Sequence, residues 1–196
     1  MAIVINGSGT LTGVSVGGLP DGIVDTDMIA TSAVTGAKIG SLPAGSILQV
    51  VQTVKTDGVT YGTSGTFAAI SGFTVSITPS ATSSKILILV QATVGTSNQY
   101  GRVHMRLTGT TSTSVGDAGT GYEATATVSP RSADGGWSQI PAIISFLDSP
   151  ASISQQTYGI EWTNSDGGVA MNRPYNTPDA YSGNTISTIT AIEVAA

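Results

Sequence analysis

Between Phe73 and Ile77 apolar residues alternate one for one with Thr74, Ser76 and Thr78. The cadence returns where Val103, Met105 and Leu107 alternate with Arg102, His104 and Arg106. It returns again where Tyr158, Ile160 and Trp162 alternate with Gly159 and Glu161. A period of two sends successive side chains to opposite faces of a pleated strand and cannot line one face of a helix. Ile140, Ala142, Ile144 and Phe146 make a further run, and Leu48, Val50 and Val54 share one face of a first strand. Weaker or shorter strands are expected over 123–128 and 169–172, and a last one over 186–194. Residues 85–90 read Lys-Ile-Leu-Ile-Leu-Val without alternation, the pattern of a strand buried on both faces. The run 164–168, Asn-Ser-Asp-Gly-Gly, reads as a hairpin turn. About nine strands and no long amphipathic pattern predict an all-β fold, an antiparallel jelly-roll-like β-sandwich head with an extended N-terminal stem.

The stem follows from where the aromatic residues fall. Tyr61 is the first Phe, Trp or Tyr in the chain. Aromatic side chains dominate core burial, so residues 45–196 are expected to form the head and residues 1–44 the stem. Within the stem Val14, Leu19, Val24, Ile29, Val34 and Ile39 recur every five residues. That spacing suits neither a helix nor a strand. One apolar residue in five cannot build a private core, whereas three copies wound about a shared axis could bury these side chains together. The alternative is a coil whose spacing is accidental.

Charge narrows the partners. Only 10% of residues are charged and the net charge is −5. Such a surface repels phosphate backbones, so no nucleic-acid partner is expected. The absence of cysteine excludes disulfides and thiolate metal sites. The longest apolar run is far too short to cross a bilayer, so no membrane insertion is expected. Residues 1–4 lack the basic region of a signal peptide.

Little in the chain carries reaction chemistry. Gly13-Val14-Ser15-Val16-Gly17 matches the nucleophile-elbow pattern, but without the strand–turn–helix of an α/β sheet it reads as linker. His104 is the lone histidine, and Arg102 and Arg106 on its face should depress its pKa and repel a metal. Asp21, Asp25 and Asp27 are the densest acidic cluster, yet the residues after them supply no further oxygen ligands. No pair of carboxylates stands out for glycoside hydrolysis. The chain is therefore expected to have no catalytic residue, no metal and no cofactor. Two loops are more suggestive of binding. One carries Arg131 and Trp137, the other Arg173, Tyr175 and Tyr181. Aromatic faces beside Arg, Asn and Asp suit stacking on a sugar ring and bonding its hydroxyls, although such aromatics also pack down on their own neighbours.

Several segments together resemble a known family. These are Ile5-Asn6-Gly7-Ser8-Gly9-Thr10, GGLPDGIVDTDMIA from Gly17 and AVTGAKI from Ala33. In the second half they are GSILQVVQ from Gly45, GFTVSITPSATSSKILILV from Gly72, SFLDSP from Ser145 and STITAIEVAA from Ser187. In this order they resemble the stems and C-terminal domains of bacteriophage tail-fibre proteins from marine and cyanobacterial phages. The resemblance implies a homotrimeric, non-enzymatic protein of the virion, made in the host cytoplasm. Its stem would join another virion protein of the tail, baseplate or capsid. Its head would meet a host surface glycan or protein. A capsid decoration protein bound to the major capsid protein is the alternative.

Overall fold

The computed structural model describes residues 42–62, 65–110, 115, 124–130, 137–176 and 183–196, together with Ile29, Thr31 and Val34. The chain divides into two units, Met1–Leu42 and Pro43–Ala196. In the first, Ile29 and Val34 are exposed. The other pentad positions, Val14, Leu19, Val24 and Ile39, lie outside the described residues.

The second unit is built from strands alone among its described residues. They are β1 (Ile47–Lys55), β2 (Val59–Tyr61), β3 (Ala68–Ile77), β4 (Lys85–Thr96) and β5 (Val103–Thr108). After them come β6 (Ala126–Val128), β7 (Ile140–Asp148), β8 (Gln156–Asn164), β9 (Val169–Met171) and β10 (Ser187–Val194). All pairings are antiparallel. One sheet runs β1-β10-β4-β7 and the other β3-β8-β5-β6. Strands β9 and β2 bring the first sheet to six, and the two four-strand orders, which exchange successive strands, make a jelly roll. Strand β2 was not expected from the sequence.

The predicted alternation selects the core. Phe73, Val75 and Ile77 of β3, Val103, Met105 and Leu107 of β5, and Ile160 and Trp162 of β8 are all buried. From the facing sheet come Ile86, Ile88 and Val90 of β4, Ile144 of β7 and Ile189 of β10. Strand β4 departs from the expectation of burial on both faces. Leu87 is only half-buried and Leu89 is 38% exposed, because the second sheet covers one face of β4 and no layer of the described chain covers the other. Phe146 is also only half-buried, at the edge of its sheet on β7.

The columns of the larger sheet are broken at one place. On the side of β4 away from β7, residues 85–91 pair with β10 and residues 94–96 pair with β9. Outside that column β1 pairs with β10 and β2 with β9. Asn172 sits at the break between β9 and β10. Its N–H donates to the Thr93 carbonyl at 2.9 Å, and its own carbonyl accepts from the Thr185 N–H at 3.0 Å. Its φ is 63°, a left-handed conformation that asparagine tolerates better than other side chains.

Candidate functional site

At the end of the sandwich where β4 and β8 finish, two connections are tied together by hydrogen bonds. The Ser97 N–H donates to the Gly168 carbonyl at 2.9 Å, and the Gly168 N–H donates to Ser97 Oγ at 2.7 Å. The Ser165 N–H reaches the Arg102 carbonyl, and the Arg102 N–H reaches Ser165 Oγ, both at 3.2 Å. The loop between β4 and β5 is thereby clamped to the turn between β8 and β9. Within that loop Asn98 Oδ1 accepts from the Tyr100 N–H at 3.0 Å and the Gly101 N–H at 2.7 Å. This is the side-chain mimicry of a turn for which asparagine is favoured. The result is a braced loop that holds out Tyr100, which is 73% exposed.

The segment after β9 folds back over the same turn. A Cβ built at Gly168 would stand 2.3 Å from the Tyr175 hydroxyl and 2.4 Å from its ring, so only glycine lets the ring lie there. Gly168→Ala is therefore expected to displace Tyr175 and cost about 1–3 kcal/mol by overpacking. Chemical denaturation measures the cost, and the same stability as the parent would show that the ring does not rest on this glycine. At Gly95 a built Cβ would lie 2.8 Å from the Ser138 carbonyl oxygen, with the Arg173 carbonyl and Pro174 just beyond. The segments bearing Trp137 and Arg173 thus meet on one glycine.

Of the five expected binding residues, Trp137, Arg173 and Tyr175 come to this end of the fold, and Arg131 and Tyr181 lie outside the described residues. Trp137 is 48% exposed. Arg173 and Tyr175 are half-buried, the stem of Arg173 lying against Gly58 and Tyr175 against Gly168. Asn172, at the start of the same loop, is buried in the sheet and presents nothing to a ligand. Tyr100 was missed, although Ser97-Asn98-Gln99-Tyr100-Gly101 shows the same signature of an aromatic in a polar turn.

The ionisable groups are committed elsewhere. His104 is buried rather than solvated, with Nδ1 3.0 Å from Thr127 Oγ1. Burial first, and the Arg102 charge second, push its pKa below the ordinary imidazole value. Glu161 takes the ion pair of Arg106, whose guanidinium also lies 4.4 Å from the centre of the Phe67 ring. Asp148 accepts the Tyr158 hydroxyl at 2.6 Å, an arrangement that, with burial as the larger cause, raises the tyrosine pKa. Lys55 is buried and donates to Asp57 at 2.9 Å and to the Ser71 carbonyl at 2.7 Å. Among the described residues no three His, Asp or Glu side chains gather as a metal site. Ser15 and the cluster of Asp21, Asp25 and Asp27 lie outside them. No helix among the described residues is long and apolar enough to cross a membrane.

No family model and no curated protein matches the chain. Among solved structures it is similar to a chain of the infectious bursal disease virus Gt strain, at 11% identity and a TM-score of 0.38. That match covers 78% of this chain and 43% of the other. A chain of the Gx strain gives 14% identity and 0.32, and the VP2 subviral particle of the same virus gives 12% and 0.31. Each of these two covers 76% of this chain and 37% of the other. The chain thus spans less than half the length of these solved chains. The resemblance to phage tail fibres rests on the sequence motifs.

Proposed function

We propose that the chain is a non-enzymatic structural protein of a phage virion, a homotrimeric short tail fibre whose loop end contacts the host cell surface. The observation that carries this reading is the braced loop end. There Tyr100 stands exposed on a loop fixed by backbone hydrogen bonds and Trp137 is 48% exposed next to Ser138, whose carbonyl lies over Gly95, while Arg173 and Tyr175 settle against Gly58 and Gly168. Rigid aromatic faces bind sugars and protein surfaces with little ordering cost, which is adhesion rather than turnover. Glu161, Asp148 and Glu193, three carboxylates available for hydrolysis, are each held in a structural pair or network. Jelly rolls also recur in capsid and lectin domains, an analogy of fold that agrees with the site without replacing it. In this account residues 1–44, with Val14, Leu19, Val24, Ile29, Val34 and Ile39, form the stem that joins another virion protein.

The test places the chain on the intact particle by electron cryomicroscopy and measures adsorption to host cells. The proposal expects density on the tail, and about tenfold weaker adsorption when Tyr100→Ala and Trp137→Ala are combined. Density spread over the capsid, with adsorption unchanged, would assign the chain to capsid decoration instead. Light scattering of the purified protein should give about three times the 19.7 kDa chain mass.

A further inference from the structure

The β1-β10-β4-β7 sheet has an outer face, and the strand register arranges its side chains in rows. Val50, Ile192, Leu87 and Leu147 form the first row across the four strands. Gln52, Thr190, Leu89 and Ser145 form the second, and Val54, Thr188, Gln91 and Ile143 the third. None of the three rows contains a charged residue. Ile143 is 69% exposed, and Val50, Val54, Leu89 and Leu147 are exposed beside it. A shallow open groove of about 320 Å³ runs between Leu89, Ile143, Thr188 and Thr190. An antiparallel sheet with one face in water ordinarily alternates apolar inside with polar outside. The opposite sheet behaves more in that way, since its outer face carries the Arg106–Glu161 ion pair.

We infer that this uncharged face is the surface through which copies of the chain pack on one another, an inference that rests on the homotrimer proposed above. The occupant follows from charge. The chain carries a net charge of −5, so copies repel unless they approach through a surface without charges. The three rows are such a surface, and Lys85, bonded to Ser149 at 2.9 Å, stands at their end. A basic or acidic partner would find no complement on them. In a threefold assembly the same face of each copy turns toward the shared axis, so neighbours meet there with no like charge opposed and no charge left buried and unpaired. Four strands about 4.8 Å apart and about seven residues long give a footprint of roughly 400 Å². That is about half of the ~800 Å² per partner of a standard interface, so the face supplies the core of the contact and the rim comes from outside the three rows; its apolar, charge-depleted composition is that of such a core.

The experiment uses the full chain. Ile143→Lys and, independently, Thr190→Lys place a charge in the third and second rows. Ile153→Lys, at an exposed apolar position in the connection between β7 and β8, is the control. Mass is read by light scattering, and near-ultraviolet circular dichroism reports the fold. The inference expects a trimeric parent and control, with both row variants folded and reduced to about one third of the parent mass. Row variants that are folded and still trimeric would overturn the face assignment while leaving the trimer standing. A monomeric parent would overturn the trimer and this inference together. A monomeric parent whose row variants no longer join the virion would assign the face to another virion protein.

Discussion

Replacing Asn172 with alanine lowers the stability of the head by about 3–5 kcal/mol and its melting temperature by roughly 10 °C. The side chain fills the break in the larger sheet with three hydrogen bonds. Nδ2 donates to the Lys55 carbonyl at 2.8 Å and to the Asp57 carbonyl at 3.1 Å, and Oδ1 accepts from Ser187 Oγ at 2.6 Å. Ser187 Oγ in turn accepts from the Thr93 N–H at 3.0 Å, so the amide holds together the strands on both sides of β10. Alanine leaves these polar groups without that partner in a site closed to water, at about 1–3 kcal/mol for each buried group. It also takes up a left-handed φ at a cost of about 1–2 kcal/mol. Asn172→Gly keeps the backbone comfortable and should recover about 1 kcal/mol of the loss, as denaturant titration of both variants will show. An alanine variant within 1 kcal/mol of the parent would mean that the break is held by something else.

Acid is expected to remove a second stabilising element. Glu193 lies in β10 with its side chain turned into the sandwich and fully buried. Its Oε1 accepts from the Ser80 N–H and from Ser80 Oγ, both at 2.7 Å, and its Oε2 accepts from Gln49 Nε2 at 2.5 Å. Burial pushes the carboxyl pKa up. The hydrogen bonds from Gln49, Ser80 and Ser84 outweigh that effect and bring it down to about 2. Because the folded value lies below the unfolded one, the carboxylate stabilises the fold in full above about pH 5. That contribution disappears as the pH falls through the folded value near 2, and amounts to about 3 kcal/mol in all. Glu193→Gln should lower stability at neutral pH and flatten the dependence between pH 5 and pH 2, measured by urea denaturation across that range. An unchanged slope in the variant would move the acid sensitivity to other carboxylates.

The sequence alone located nine of the ten strands, because the alternation of side chains is local and is written in runs such as 73–77, 103–107 and 158–162. It also named the inward faces of β3, β5 and β8, since a period of two assigns alternate residues to one side. The absence of aromatics before Tyr61 put the aromatic core in the second part of the chain. Three things required the tertiary structure. The first is the outer face of β4. A continuous apolar run reports that both faces avoid water, but whether the second cover comes from the same chain depends on how many layers the fold builds. The second is the pair of polar keystones. Asn172 and Lys55 are 117 residues apart, Glu193 and Ser80 are 113 apart, and no local pattern reveals such partners. The third is the loop end, where turn composition marked Trp137, Arg173 and Tyr175 but could not say which would face solvent. That outcome is set by Gly58, far from Arg173 in the chain, and by Gly168, across the β9 strand from Tyr175, whose missing Cβ atoms leave the space into which Arg173 and Tyr175 settle.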